Sequence, residues 1–413
     1  MLSFEGPDRY AMVGGLGVRT TELASALDEA GFQTDLFFIG DPELPSIERR
    51  GNALTLRRWS QWISAHHPAG VYDGQDGKIL DYATSVPAVL IDECVRPAAQ
   101  SGAQVLVLAE DWQTVPAVLN LHTRLIEEGL RNSVHIAWNA NNTYGFDDID
   151  FALLAAAAHI TCVSRYMKFE LSLQGAEALV IPNGIPERIW NEMNDADITY
   201  LRRVLDGRAM LLKVGRFDPD KRWLQAIDAV ADLRATGTRA QLIVRGGKEE
   251  YRTVVFDRAI ERGLAIDDIS LQEPTVESVV QAISTSTADI INLRSFLPDA
   301  LLYTLYGAVD AVLANSGREP FGLVGLEVMA AGGIAVCGST GEDYAQAFDN
   351  AIVCDTSDSA ELATYLRRLL ADDELREHIR SNAPRTARQF TWPNVLEVLD
   401  MKVAYFGQDT SKH

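Results

Sequence analysis

The feature that most limits what this chain can fold into is an alternation in its second half. Short apolar runs stand at 209–215 (AMLLKVG), 240–246 (AQLIVRG), 288–293 (ADIINL), 310–315 (DAVLAN), 333–338 (GIAVCG) and 350–355 (NAIVCD). Most are separated by stretches of helical periodicity, such as Trp223–Ala235 and residues 360–371. Strands alternating with helices of this length imply βαβ units and a parallel sheet. The first half repeats the theme less cleanly, at 34–40, 103–110, 133–139, 159–164 and 178–184. A chain of 413 residues is also too long for one ordinary core. The expectation is therefore α/β, with two Rossmann-like domains.

The boundary is expected at Pro182-Asn183-Gly184, followed by a polar stretch over 190–206. Beyond Asp372 the pattern turns purely helical, over 376–390 and 393–406. The expected organisation is an N-terminal acceptor domain over 1–190, a C-terminal nucleotide-sugar donor domain over 207–388, and a terminal helical segment over 389–413. Open sheets of this kind bind ligands at the carboxyl ends of their strands, so two facing domains would place the site in the cleft between them.

Charge and cysteine usage exclude several function classes. A formal net charge of −21 disfavours nucleic acid and anionic lipid as partners. Cys94, Cys162, Cys337 and Cys354 are widely spaced, with no CxxC pair, so neither a zinc site nor a disulfide framework is indicated. No apolar run approaches the length of a membrane span, and the expectation is a soluble cytoplasmic protein without a transmembrane segment.

Three segments carry chemistry. Gly14-Gly15-Leu16-Gly17 precedes a helical pattern; such a run fits a tight turn as well as a backbone cradle for an anion. Val214-Gly215-Arg216-Phe217-Asp218-Pro219-Asp220-Lys221 ends a strand and delivers two cations, Arg216 and Lys221, to the carboxyl edge of the sheet. They could neutralise a leaving diphosphate, or simply belong to a solvated loop. Asp218 and Asp220 read as turn chemistry before a helix rather than as a metal site. The third segment runs from Glu319 to Glu327. Glu327 interrupts the apolar helix expected at 323–331, where an unpaired carboxylate is costly, and Glu319 lies in the preceding loop. Both acids thus flank a helix N-terminus able to hold phosphate oxygens, and both suit sugar hydroxyls. Ion pairing within the protein is the ordinary alternative. In the first half, Glu110-Asp111-Trp112 and Trp138-Asn139-Ala140-Asn141-Asn142 end strands and offer donors and acceptors to a sugar-like substrate, although Asn also favours turns.

Together these residues resemble the retaining glycosyltransferases of family 4, a group that includes glycogen and sucrose synthases. The resemblance covers nearly the whole chain. It rests on GGLG at 14–17, EDWQT at 110–114, VSRYM at 163–167, VIPNGI at 180–185, VGRFDPDK at 214–221, REPFGLVGLEVMAAG at 318–332 and QFTW at 389–392. It implies a GT-B fold, with the final helix crossing back onto the N-terminal domain. By the same resemblance, Arg216 and Lys221 would hold the donor diphosphate. Glu319 would act beside the donor sugar, and Glu327 would bind the ribose. Gly215, Phe321, Gly322 and Leu323 would line the donor site, with Gly15 and Leu16 closing the phosphate pocket. Asp111, Trp112, Asn139 and Asn141 are the expected acceptor-side residues. No cofactor and no essential metal are implied. The partners are a nucleotide-diphosphate sugar and a sugar or glycan acceptor.

The chain also departs from the family. Met12 stands where glycogen synthases carry a lysine, Trp138-Asn139 where many members place a histidine, and Ser339-Thr340-Gly341-Glu342 where a TGG is usual. These departures argue against a glycogen or starch synthase. Two alternatives share the architecture: a nucleotide-sugar or glycan-binding protein without efficient transfer, and a nucleotide-sugar epimerase. A pyridoxal-dependent phosphorylase would need a dedicated lysine, and nothing singles one out beyond Lys221.

Overall fold

The computed structural model describes residues 1–205 and 207–407. Asp206 and the end of the expected terminal segment, 408–413, lie outside the described residues. The chain divides into two compact units, one formed by residues 1–184 with the chain from Trp392 onward, the other by residues 185–391. Residues 185–190 and 389–391, expected in the first domain and in the returning segment, belong to the second unit. The reason is a backbone pairing, in which the Ile185 N–H donates to the Phe390 carbonyl at 2.8 Å.

The first unit holds strands β1 (Thr34–Ile39), β2 (Ile47–Arg50), β3 (Leu54–Trp59), β4 (Val105–Glu110), β5 (Val134–Ala140), β6 (His159–Cys162) and β7 (Leu179–Val180). They form two ladders, β1-β3-β2 and β4-β5-β6-β7, parallel except for the β2/β3 pair. Leu2 bridges the ladders, pairing with Phe37 of β1 on one side and Ala109 of β4 on the other. The first residues therefore act as the central strand of one continuous sheet, which hydropathy alone did not reveal. Strands β2 and β3 were also missed. Their arginines break the apolar pattern, yet Leu54, Leu56 and Arg58 alternate inward along β3. Arg58 is buried because Asp8 accepts from its Nε and Nη2 at 2.8 and 2.9 Å. The helix Gly15–Glu29 packs against the last helix, Trp392–Phe406, within this unit.

The second unit contains β8 (Ala209–Val214), β9 (Ala240–Arg245), β10 (Ile266–Ile269), β11 (Ile290–Leu293), β12 (Ala311–Ala314), β13 (Ala335–Cys337) and β14 (Ile352–Val353). All pairings are parallel, in the order β10-β11-β9-β8-β12-β13-β14. β9, β11 and β10 lie on one side of β8, while β12, β13 and β14 follow one another on the other, so the topological switch point lies between β8 and β12. β10 (IDDI) is a polar edge strand, which hid it from a search for apolar runs. The helical stretches after Asp372 begin earlier than expected, at Asp373–Ala387 and Trp392–Phe406, because the Asp372 side chain caps the first by accepting from the Leu375 N–H.

One charged residue sits inside this second core. Lys213 on β8 is 3 % exposed, and its Nζ donates to the Leu313 carbonyl at 2.9 Å and to Asn315 Oδ1 at 2.7 Å. Asn315 in turn donates to Gln225 at 2.7 Å. Burial, with the nearby Lys221 and Arg222 charges, holds the Lys213 ammonium well below the ordinary lysine range. Between its folded and its unfolded pKa the unfolded chain binds more protons, so stability rises with pH across that interval. As pH rises toward the ordinary lysine pKa of about 10, the urea unfolding free energy of wild type should climb relative to Lys213→Met, by at most about 1.4 kcal/mol per pH unit. Parallel pH profiles for the two proteins would contradict a depressed Lys213.

Candidate active site

In the second unit, the loops after β8 and β12 leave the same edge of the sheet on either side of the switch point. Gly215 follows β8 with φ at +151°, a conformation that side-chain-bearing residues rarely adopt, and so aims the next residues away from the strand. Phe217 is buried, its N–H donates to Glu249, and the Arg216 carbonyl accepts from the Trp223 indole at 2.8 Å. These contacts fix the backbone around Arg216 while its side chain stays exposed, with no ion pair to any described residue. Asp218 accepts from the Asp220 N–H at 2.8 Å and caps the short turn Pro219–Lys221. Asp218 therefore serves the turn, and among the described residues no group of acids and histidines is arranged to hold a metal.

Lys221 and Glu319 meet across the switch point, Nζ to Oε2 at 2.6 Å. Both side chains keep partial solvent access, at 31 % and 17 % exposure, so the pair can exchange partners. Glu319 is held by its backbone, since its N–H donates to the Thr340 hydroxyl at 2.9 Å and its carbonyl accepts from the Gly341 N–H at 2.9 Å. The helix Leu323–Ala330 then starts at Gly322, whose φ is +83°. A Cβ on Gly322 would stand 2.7 Å from Glu342 and 2.9 Å from the Tyr344 hydroxyl, so only glycine fits. Tyr344 donates to the Gly322 carbonyl, and Phe321 is buried against Tyr344 and Phe390. The first N–H groups of this helix have no partner within it, and its N-cap makes no side-chain hydrogen bond. Glu327 lies one turn further, half-buried, close enough to Tyr303 and Tyr306 for its charge to oppose their ionisation.

Glu342 is a second carboxyl at this edge, and the sequence reading noticed it only as a departure from TGG. It is 6 % exposed and accepts from the Gly338 and Thr340 N–H groups, each at 3.2 Å. Burial, then the Glu319 charge, raises it to about 7. Lys213 was missed as well. The signal existed, because a lysine inside AMLLKVG is as anomalous as the glutamate that marked 323–331.

The first unit has its own switch point, where the chain leaves the Leu2 segment on one side and β4 on the other. The glycine loop stands there with Glu5, which the sequence reading did not single out. Glu5 Oε2 accepts from Val13, Gly14 and Gly17 N–H at 3.1, 3.2 and 3.0 Å, and Oε1 accepts from the Tyr72 hydroxyl. The protein's own carboxylate thus fills much of the cradle expected for an outside anion. The N–H groups of Gly15 and Leu16 make no hydrogen bond to a described residue, and Gly15 is exposed. Gly17 cannot bear a side chain, because a Cβ would lie 2.9 Å from Glu5.

At the end of β4, Glu110 is 1 % exposed and pairs with Arg19 at 3.0 Å. Its Oε2 also accepts from Asn139 at 2.9 Å and Asn141 at 2.8 Å. Both amides expected on the acceptor side are therefore committed to a buried network that includes Thr161 and Asn183. They satisfy Glu110, whose burial without partners would be costly. Asp111 differs. It has φ at +68°, unusual for a residue with a side chain, and is 2 % exposed. Burial raises its carboxyl to about 8, with Glu110 and Glu5 adding to the effect against hydrogen bonds from Trp112 and Asn142. Trp112 beside it is half-buried, lying against Gly145. Asp111 and Trp112 are thus brought to the same strand edge as Gly15 and Leu16, while Asn139 and Asn141 turn inward.

Known proteins resemble the chain along both units. The model for Glycosyltransferase Family 4 matches residues 13–188, and the model for Glycosyl transferases group 1 matches residues 202–386. The D-inositol 3-phosphate glycosyltransferase of Actinosynnema mirum is 28 % identical over 412 residues, covering 96 % of this chain and 92 % of that protein. The lipopolysaccharide 1,2-N-acetylglucosaminetransferase of Salmonella typhimurium is 23 % identical over 254 residues, which span 58 % of this chain and only 60 % of that enzyme. Among solved structures, sucrose-phosphate synthase from Thermosynechococcus elongatus superposes with a TM-score of 0.69 at 18 % identity, covering 99 % of this chain and 100 % of that one. The Anabaena protein HepE, in complex with UDP, gives 0.65 at 16 % identity, with 98 % and 99 % covered. These likenesses establish the GT-B fold. With one model on the glycine-loop half and the other on the half that carries Arg216, Lys221 and the paired glutamates, the chain belongs to the family 4 glycosyltransferases.

Proposed function

We propose that the chain transfers a hexose from a nucleoside-diphosphate sugar to a hydroxyl of a small sugar or polyol, with retention of anomeric configuration. The observation that carries this reading is the Lys221–Glu319 pair at the switch point, beside an open helix N-terminus and the exposed Arg216. A diphosphate bound there would draw Lys221 away from Glu319 and add Arg216, giving two cations against the leaving group. Glu319, freed of its partner, then faces the positive charge that develops at the anomeric carbon. The bond from that carbon to the β-phosphate oxygen breaks, and the acceptor oxygen bonds the same face. The acceptor proton passes to the departing phosphate oxygen, releasing a nucleoside diphosphate. Glu327 accepts from the ribose hydroxyls.

HepE was solved with UDP, which makes a uridine nucleotide the first donor to test. Relatives named for D-inositol 3-phosphate support a small polar acceptor. On the acceptor side, burial raises the Asp111 carboxyl to about 8, so it titrates close to neutral pH beside the proposed acceptor. No essential metal is part of this reading, because side-chain cations and the helix N-terminus already meet the diphosphate.

Arg216→Ala should lower turnover by tens-fold or more, on the order of a few kcal/mol, with unfolding unchanged, since the side chain packs against no core. Near-wild-type turnover with any accepted donor would remove Arg216 from the diphosphate site. Glu319→Gln should depress kcat more than nucleotide affinity, whereas Glu327→Gln should mainly weaken nucleotide binding. Calorimetry of nucleoside diphosphate binding and assay of released diphosphate separate the two. If wild type binds a nucleotide sugar yet releases no diphosphate with any acceptor, the binding-protein reading replaces the transferase. Activity should persist in EDTA. Loss restored only by manganese or magnesium would bring Asp218 and Asp220 back into consideration.

A further inference from the structure

A second cationic site lies at the opposite edge of the same sheet. Met210 near the start of β8 and Asp310, immediately before β12, border a cavity of about 280 Å³ in the second unit. Lys221 and Glu319 follow the other ends of those strands. Six residues of β8 intervene, roughly 17 Å at ~3.3 Å per residue. Four arginines converge on the cavity: Arg202, Arg208, Arg376 and Arg380.

The charges of this cluster are not balanced pairwise. Arg202 Nε and Nη2 donate to the Gly307 carbonyl at 3.1 and 2.7 Å, and Arg380 Nη1 donates to the same carbonyl at 2.9 Å. Two guanidinium groups thus share one neutral acceptor. Arg380 also donates to Gly332 and Val309 carbonyls at 2.9 and 2.7 Å, and Arg208 donates to Gln241 and to carbonyls at 283, 284 and 286. Among the described residues only Arg376 has a carboxylate within ion-pair distance, that of Asp373. Asp310 spends its carboxylate on the Met210 N–H at 2.8 Å, and Glu377, also at the rim, has no ion pair to a described residue. Burial, then the Arg202 charge, lowers Arg380 to about 10 against the opposing charges of Asp310 and Glu377. Arg202 Nη1 and Arg380 Nε make no hydrogen bond to a described residue, so N–H donors remain for a ligand. This concentration of positive charge stands in a chain whose net charge is −21.

We propose that this cavity binds a phosphate group, either free phosphate or the phosphate of a small phosphorylated metabolite. Guanidinium forks match phosphate oxygens, and the volume, equal to about nine waters at ~30 Å³ each, leaves room for a sugar beyond the phosphate. The site is separate from the diphosphate site proposed above and does not depend on it.

The test is thermal unfolding of the full chain in inorganic phosphate against chloride of matched ionic strength. It is run on wild type and on an Arg216→Ala/Lys221→Met double variant. A shift that belongs to the loop after β8 disappears in the double variant, whereas a shift that belongs to the arginine cavity remains and saturates at millimolar phosphate. In the double-variant background, Arg202→Gln and Arg208→Gln should each weaken phosphate binding by about tenfold or more. Arg208→Gln serves if Arg202→Gln, which also uncaps Gly307, does not fold. Saturation by glucose 6-phosphate at lower concentration than by phosphate assigns the site to a phosphorylated metabolite, and equal or weaker binding assigns it to free phosphate. Absence of a saturable shift in the double variant with either probe overturns the proposal. So does a shift left undiminished by both glutamine variants, which would reduce the arginines to caps for helix-end carbonyls.

Discussion

Parallel strands cannot be joined by tight turns, so every strand in such a sheet hands its chain to a loop at the same edge. In the second unit, β8 pairs with β9 on one side and β12 on the other. That pairing puts the loop bearing Arg216 and Lys221 next to the loop bearing Glu319, although about a hundred residues separate them in sequence. Everything at the candidate donor site depends on this adjacency. Lys213 reinforces it from below, since its ammonium spans from β8 to the carbonyl and amide at the end of β12. An aliphatic residue could pack there, but would leave Asn315 and the Leu313 carbonyl without a donor.

The two units use the same edge in opposite ways. In the second, the helix starting at Leu323 presents its N–H groups beside a lysine–glutamate pair that can open. In the first, Glu5 already occupies the N–H groups of Val13, Gly14 and Gly17, so the glycine loop is held in shape by an internal anion. A loop stabilised this way leaves the N–H groups of Gly15, which is exposed, and Leu16, which is buried, without a hydrogen bond to a described residue. The same economy governs β4 and β5, where Asn139 and Asn141 serve Glu110 while the strained Asp111 and its neighbour Trp112 are left at the strand end.

Buried charges explain most of the differences between sequence and structure. Hydrophobic runs located eleven strands, in part or whole length, because burial on both faces demands continuous apolar residues. The pattern failed where a charge is buried with its partner, as with Arg58 and Asp8 on β3, or where an edge strand is polar, as with β10. It also failed at the first residues, whose strand character comes from pairing with β1 and β4 on both sides and from nothing local.

The sequence by itself determined the class of fold, the edge of each sheet that matters, and the residue types at the donor-side loops, because periodicity, glycine placement and helix starts are local properties. The anomaly of a glutamate in an apolar helix was legible for that reason, whereas Gly215 and Gly322 were singled out only through the family resemblance. Which polar groups remain free was decided only by tertiary structure. Lys221 meets Glu319, Glu5 fills the glycine loop, Glu110 draws in two asparagines, and four arginines gather at the far edge of the second sheet, through contacts that range from a loop closing on a nearby residue to pairs 98 residues apart. A hydrogen bond or an ion pair forms over about 3 Å, and no local pattern along a chain specifies distances of that kind between segments a hundred residues apart.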